Sequence, residues 1–158
     1  MSAALSAGRA APELLARILH AEASHRGLRA VEALAALALN RRRAALEGGE
    51  AARMRFAGGA PLGTPDRMLI AVCRAPFQFP VRHPRHPRHA LFAVPPGGDA
   101  AAAAPMEMCR RVAARAASGM LPDPTGGALL WHDDARLPDW ALGRVPLAEA
   151  GGLAFYAG

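Results

Sequence analysis

Apolar residues recur at helical spacing near the start of the chain, at Leu14, Leu15, Ile18 and Leu19. Proline is favoured at the first helical position and acidic residues in the first turn, so Pro12 and Glu13 indicate a helix start. Gly27 is a typical residue just past a helix end. The pattern predicts a helix over residues 12–26. Residues 1–11 are expected to form an N-terminal lead-in, and residues 12–158 a single domain.

Three more helices are predicted, over residues 28–43, 65–74 and 105–118. The best marked begins at Thr64-Pro65-Asp66, where a hydroxyl cap precedes proline and an acid. The Gly-rich residues 44–64 are expected to be irregular, and residues 75–104 to form a long loop. Turn residues at 123–127 precede a short predicted strand over 128–132. The fold class expected is α+β, mostly α, with a small β element.

Composition fits one domain with a hydrophobic core. The chain has 158 residues, 52% of them apolar, and a formal net charge of +6. All basic residues are arginines, and this excess of positive charge favours anionic partners such as nucleic acid, membrane headgroups or cell-wall polymers. No apolar run reaches the roughly 18 residues of a membrane span, and the first residues do not resemble a secretory signal. Stable membrane insertion is therefore not expected.

Glu22 is out of place on the predicted first helix. It follows Ile18 and Leu14 on the apolar face, at intervals of four residues. Burial raises the pKa of a carboxyl because the charged form loses water, and a partly protonated carboxyl suits a general acid. The alternative is a structural role, in which the carboxylate of Glu22 pairs with the guanidinium of Arg26 at i+4.

Five ordered segments resemble the SleB/CwlJ cell-wall hydrolase family. The longest, LLARILHAEASHRGLRAVEALAALALNR at 14–41, is similar to the family's signature around its catalytic glutamate. The others are VCRAPFQF at 72–79, DPTGGA at 123–128, WH with LPDWA at 131–141, and GGLAFY at 151–156. Three sites depart from the family's pattern: Pro80, Leu153, and Leu129 with Leu130.

The resemblance implies a lysozyme-like domain that cleaves peptidoglycan between N-acetylmuramic acid and N-acetylglucosamine, without a cofactor or a metal. Members are lytic transglycosylases, whose product ends in 1,6-anhydro-muramic acid. The family's catalytic glutamate falls on Glu22. One carboxyl suffices for this reaction if Glu22 first protonates the leaving oxygen and then takes the proton of the muramic C6 hydroxyl. A muramidase-type hydrolase would need a second carboxylate, for which Asp66, Asp123, Asp133 and Asp134 are candidates.

The resemblance also implies substrate contacts for Gln78, Phe79 and His132. Gln78 could instead cap a loop with its amide. Trp131 and Tyr156 are candidates for sugar contact too, although aromatic residues are scarce here and core packing is the alternative for both, as it is for Trp140. Asn40 and Arg41 are expected to pin the end of the second helix.

The segment HPRHPRH, residues 83–89, is not expected to bind a metal. Its prolines favour an extended polyproline II conformation, which spaces successive histidines about 9 Å apart, too far for one zinc ion. A basic loop facing an anionic polymer is expected. Cys73 and Cys109 could pair in an oxidising compartment, but free, buried thiols are expected. Cys73 is near the C-terminal end of its predicted helix, where the helix dipole opposes a thiolate, and Cys109 is in mid-helix, which argues against a cysteine peptidase.

Peptidoglycan is therefore the expected partner, and nucleic acid is unlikely because no DNA- or RNA-binding signature is present. A basic protein of this kind without a secretory signal resembles endolysins of phages or phage-like particles. Such proteins are made in the cytoplasm and act on the cell wall, in the periplasm of some bacteria, after holin-dependent release or particle delivery. A basic nucleic-acid-binding or wall-binding protein without catalysis is the alternative.

Overall fold

The computed structural model describes residues 2–93 and 100–158, with side chains for 7–93 and 103–158. Within these ranges six helices precede a small three-stranded sheet. The helices are α1 (Ser2–Ala23), α2 (Leu28–Glu47), α3 (Gly49–Ala57), α4 (Pro65–Arg74), α5 (His89–Ala93) and α6 (Ala100–Ala117). The strands are β1 (Leu130–His132), β2 (Ala148–Ala150) and β3 (Leu153–Tyr156). Three short 3₁₀ turns span Ser24–Arg26, Pro80–Arg82 and Asp139–Ala141.

Helix α1 is the centre of the helical layer and packs against α2, α4, α5 and α6. The apolar face predicted for it is fully buried at Leu15, Ile18 and Leu19. Helix α2 supplies the facing surface, where alanines between Val31 and Leu37 let neighbouring backbones approach closely. The fold is α+β and mostly α, as the sequence predicts. No helix among the described residues is long and apolar enough to cross a bilayer.

The first helix begins at Ser2, so the prediction of a lead-in over residues 1–11 was wrong for residues 2–11. Alanine is the strongest helix former, and this stretch is rich in it. Ala7 and Ala11 are buried, so packing adds to propensity. Pro12 lies inside the helix and costs it one backbone hydrogen bond without ending it.

Two segments predicted to be irregular contain helices. Residues 44–64 include the end of α2 and all of α3, which Gly48 separates. Residues 75–104 contain α5 and the first turn of α6, while residues 94–99 lie outside the described part. The prediction for α4 was correct at both ends, and the Thr64 hydroxyl accepts the Arg67 N–H at 3.2 Å as the N-cap.

The sheet is antiparallel in the order β1-β3-β2, with Leu130 opposite Tyr156 and Ala148 opposite Phe155. Gly151 and Gly152 form the two-residue turn between β2 and β3, and both have positive φ, at 56° and 85°. A Cβ on Gly151 would lie 2.5 Å from the Arg26 carbonyl oxygen. Glycine at this turn therefore lets the hairpin tip reach the chain just after α1, next to Glu22.

Candidate active site

Glu22 lies in the last turn of α1 and is only 7% exposed. Its neighbour one turn earlier, Ile18, is fully buried, so the apolar face predicted for the helix does include the carboxylate. Its Oε2 is buried and makes no hydrogen bond within the described residues. A buried carboxyl oxygen without a partner is costly when charged, and such groups occur at functional sites.

Burial is the main cause that raises the pKa of Glu22, to about 8. The negative charge of Asp133 raises this pKa further, while Arg88 and Arg26 lower it by favouring the carboxylate. Glu22 is therefore largely protonated at neutral pH. A carboxyl in that state can donate a proton to a leaving group.

Arg26, the expected ion-pair partner of Glu22, bonds instead to Asp134 and Gly151. Its guanidinium lies 3.0 Å from an Asp134 carboxylate oxygen and donates to the Gly151 carbonyl at 3.0 Å. These bonds fix the β2–β3 hairpin tip against the end of α1. Arg26 thus positions the hairpin and acts on Glu22 only through its charge.

Arg88 is the second cation near Glu22. Its Nε donates to the carbonyl oxygen of Ala21 at 2.5 Å, one residue before Glu22. The sequence placed Arg88 only in a basic loop facing an anionic polymer, since no spacing rule relates it to a helix 67 residues earlier. Its charge opposes the effect of Asp133 on the same carboxyl.

A cleft of about 470 Å³ opens beside β1, and Asp133 is part of its wall. Glu22 does not itself line this cleft; Asp133 links the two, because its charge acts on Glu22. The polar and aromatic wall residues are Arg41, Phe77, Gln78, Trp131, His132, Asp133, Arg136 and Trp140. Three of the residues expected to contact substrate, Gln78, Trp131 and His132, are thus together in one wall.

His132 is held in place by two hydrogen bonds. Its Nε2 lies 2.9 Å from the Tyr156 hydroxyl, and its Nδ1 lies 2.7 Å from the Asp133 carbonyl oxygen. Because that carbonyl can only accept, Nδ1 carries the proton, and Nε2 accepts from the tyrosine when the ring is neutral. Tyr156 is 4% exposed and packs edge-on against Trp140, so it supports the cleft wall from behind.

Gln78 and Phe79 have different surroundings. The Gln78 amide donates to the carbonyl oxygens of Arg55, at 3.2 Å, and Pro76, at 3.4 Å, as a loop-capping amide does, although the residue also lines the cleft. Phe79 is 3% exposed and packs against Trp131, with ring centroids 6.3 Å apart. Core packing is therefore its main contact in this structure.

Asn40 and Arg41 pin α2 to the loops around the cleft, although α2 continues to Glu47 and the predicted helix end at residue 43 was wrong. The Asn40 amide donates to the Asp123 carboxylate at 3.0 Å and to the Ala128 carbonyl at 3.1 Å. Arg41 is 4% exposed and donates to the carbonyl oxygens of Leu129, at 2.8 Å, and Gln78, at 3.4 Å. Burial lowers the pKa of Arg41 to about 9.

The segment 83–89 folds into two consecutive turns, so the prediction of polyproline II was wrong. The His86 N–H donates to His83 O at 2.9 Å, and the His89 N–H donates to His86 O at 3.0 Å. Proline is favoured at the second position of such turns because its φ is fixed. No group of three potential metal-ligating side chains occurs among the described residues.

Cys73 and Cys109 are free and buried, as predicted. Burial raises the pKa of each thiol to about 12. A nucleophilic cysteine needs an accessible thiolate, so neither is suited to that role.

Comparison with known proteins gave no match to a protein-family model, to a curated protein or to a solved structure.

Proposed function

We propose that this protein cleaves the glycan strands of peptidoglycan between N-acetylmuramic acid and N-acetylglucosamine. The observation that carries the proposal is the buried carboxyl of Glu22, whose pKa is about 8 and whose Oε2 has no hydrogen-bond partner among the described residues. The charge of Asp133, a residue of the cleft wall, acts on this carboxyl. The ordered segments that resemble the SleB/CwlJ family support the same reaction and a lysozyme-like domain. Both its place on an apolar helix face and that resemblance identify Glu22 as the candidate general acid.

In the proposed mechanism Glu22 transfers a proton twice. The neutral carboxyl protonates the glycosidic oxygen, and the bond to the muramic anomeric carbon breaks as positive charge develops on the sugar. The carboxylate left behind accepts the proton of the muramic C6 hydroxyl, whose oxygen closes the 1,6-anhydro ring. Arg88 and Arg26 favour the transient carboxylate, and burial favours return to the neutral acid.

The cleft offers surfaces that suit a sugar chain. Trp131 and Trp140 provide aromatic area, and Arg136 and His132 add polar groups to the same wall. The Gln78 carbonyl accepts from the Trp131 indole N–H at 3.3 Å and from Arg41, which fixes the indole relative to the cleft. Wall residues held this way keep a bound glycan in one register.

A muramidase-type hydrolase is the second candidate. The position of Asp133 favours it. Its carboxylate lines the cleft and is near enough to Glu22 to raise its pKa. In such an enzyme Asp133 would act as the nucleophile or activate a water molecule, while Glu22 remained the acid.

Digestion of purified peptidoglycan, with products read by mass spectrometry, separates these reactions. Wild type, Glu22→Gln and Asp133→Asn are compared, with Asp139→Asn as a control at an exposed aspartate. Anhydro-muropeptides from wild type and Asp133→Asn, but not from Glu22→Gln, support the transglycosylase. Reducing-end products that vanish in Asp133→Asn support the hydrolase. No product from any variant would contradict both and favour a non-catalytic wall-binding or nucleic-acid-binding protein.

The route to the wall, by a holin or inside a phage-like particle, stays a prediction from the sequence. A small membrane-protein gene beside this one would support it, and a neighbourhood of cell-division or spore genes would count against it.

A further inference from the structure

A second cavity, of about 730 Å³, adjoins the cleft and shares Phe77 and Pro80 with it. We call it the basic cavity, because its charged and polar wall consists of Arg74, Arg82, His83, Arg85 and His86. Its wall contains no aspartate or glutamate among the described residues. A concave surface with charge of one sign attracts an anion strongly.

The turns at 83–89 leave the Nε2 atoms of His83 and His86 as hydrogen-bond donors. The Nδ1 of His83 accepts the Arg85 backbone N–H at 3.1 Å, and the Nδ1 of His86 accepts the Arg88 backbone N–H at 3.1 Å. A ring nitrogen that accepts carries no proton, so the proton of each neutral ring is on Nε2. Both rings therefore offer an N–H donor even when uncharged.

The three arginines of the basic cavity carry charges that no carboxylate neutralises within residues 7–93 and 103–158. The Nε of Arg82 is buried and has no hydrogen-bond acceptor in the same part of the chain. Burial and the charge of Arg74 both lower the pKa of Arg82, and a bound anion would act in the opposite direction by favouring the charged guanidinium.

Phe77 marks the border between the two cavities. Its side chain is 99% exposed, and its φ of 62° is in the left-handed region that a bulky side chain rarely adopts. Backbone strain of this kind is typical of functional sites. The strained backbone presents an aromatic ring to both cavities at once.

We propose that the basic cavity binds the free carboxylates of the stem peptide that peptidoglycan carries on its muramic acid. The inference rests on the proposed function, since the glycan in the cleft brings its stem peptide to the adjoining cavity. Arginine guanidinium groups match carboxylates in a bidentate geometry, and the two Nε2–H groups add further donors. Phe77 lies where glycan and peptide meet. The site thus selects strands that still carry their peptides.

Binding is tested with a fluorescent stem peptide, L-Ala-γ-D-Glu-meso-diaminopimelate, and with its fully amidated form. The proteins are Glu22→Gln as the reference, the same chain with Arg74→Gln and Arg85→Gln, and a charge-matched control with Arg43→Gln and Arg111→Gln. All four arginines are exposed, so the folds should be retained, and equal melting temperatures verify this. Arg82→Gln supplies an independent variant.

We expect the free peptide to bind about tenfold more tightly than the amidated form, and the cavity pair to lose about tenfold in affinity. The control pair should bind as the reference does. Equal affinity for both peptides, or an equal loss in the control pair, would overturn the inference. Full displacement of the peptide by a DNA oligonucleotide at equal charge concentration would also overturn it, in favour of a phosphate-polymer site.

Activity on two substrates separates failure of this inference from failure of the proposed function. Glycan strands stripped of peptides report on the cleft and Glu22 alone, and wild type should cleave them. Arg74→Gln with Arg85→Gln, in the active chain, should be slowed several-fold on intact strands and unchanged on stripped ones. If the double variant cleaves intact and stripped strands at the wild-type rates, the peptide site is contradicted. If wild type cleaves neither substrate, the proposed function is contradicted.

Discussion

Asp133 and Glu22 form an electrostatically coupled pair of carboxyls at the junction of the helical layer and the sheet. Asp133 follows β1 and lines the cleft, while Glu22 is in the last turn of α1 and is shielded from water. The charge of Asp133 adds to the effect of burial, and together they raise the pKa of Glu22 to about 8. In the proposed reaction Glu22, which is held neutral in this way, is the proton donor.

The pH dependence of kcat/KM should follow the protonation of Glu22. In the proposed reaction the acid form of Glu22 is the active one, so the rate should fall as pH rises through about 8. Asp133→Asn removes a charge that raises the pKa, so the basic limb should shift to lower pH. Arg88→Gln removes a charge that lowers the pKa, so the limb should shift to higher pH.

Turbidity assays on peptidoglycan between pH 5 and pH 10, at constant ionic strength, measure these limbs. Asp139→Asn is the control, because Asp139 is exposed and does not contribute to the pKa of Glu22. Shifts in the same direction for Asp133→Asn and Arg88→Gln would refute this electrostatic account.

Glu22→Gln should stabilise the protein at alkaline pH. The folded-state pKa of about 8 is above the ordinary value of 4.5, so the folded chain binds this proton more tightly than the unfolded chain. Its contribution to stability is complete below pH 4.5 and is lost as pH rises towards 8. The glutamine variant stays neutral and avoids this loss, which amounts to about 1.4 kcal/mol per pH unit at most.

Urea denaturation at pH 4.5 and pH 8 gives the required difference in free energy of unfolding. The free energy of unfolding of Glu22→Gln relative to wild type should rise by about 2–4 kcal/mol between the two pH values. Glu47→Gln, at an exposed position on α2, should show no such growth. An advantage that does not change with pH would mean that Glu22 is not protonated in the folded state.

How far the sequence predicts this structure depends on whether the signals are local. The start of α4 was predicted correctly because Thr64 and Pro65 supply a complete start signal. Helix α3 was missed because glycines at both ends were taken to make the whole segment irregular, although good helix formers lie between them. The β2–β3 hairpin carried a Gly-Gly turn signal, but its alanines have low strand propensity.

The site was predictable only in part for a similar reason. Periodicity on one helix was enough to select Glu22 and to predict that burial raises its pKa. Arg88 and Asp133 act on that carboxyl from distant parts of the chain, and only the folded backbone brings them near it. Sequence spacing also could not show that Arg26 is bonded to Asp134 instead of to Glu22.

The two cysteines should be unreactive in the folded protein. Both thiols are buried, and the pKa of each is raised to about 12, so almost no thiolate forms at neutral pH. Labelling with a disulfide reagent should proceed only as fast as the chain opens, and denaturant should release both thiols at once. Cys73→Ser and Cys109→Ser should each retain peptidoglycan cleavage. Loss of activity in a folded variant would contradict the proposal that Glu22, and not a cysteine, carries out the reaction.

Asn40→Ala should destabilise the fold and disturb the cleft together. The buried Asn40 amide has two N–H donors for the Asp123 carboxylate, the Thr125 hydroxyl and the Ala128 carbonyl, at 3.0–3.4 Å. Alanine leaves that carbonyl without its amide partner, which costs about 2 kcal/mol in the free energy of unfolding. The residues after Ala128 lead into β1, so activity should fall with stability.

Asn40→Asp separates loss of a donor from loss of volume at the same site. A carboxylate here keeps the size of the side chain but faces the Asp123 carboxylate, so Asn40→Asp should be the more destabilising variant at neutral pH. Acidification should narrow the gap between the two variants as the new carboxyl is protonated. Urea denaturation of both, with Glu47→Ala as the exposed control on the same helix, measures the effect. An Asn40→Ala variant within about 0.5 kcal/mol of wild type would show that other contacts hold the 123–127 turn.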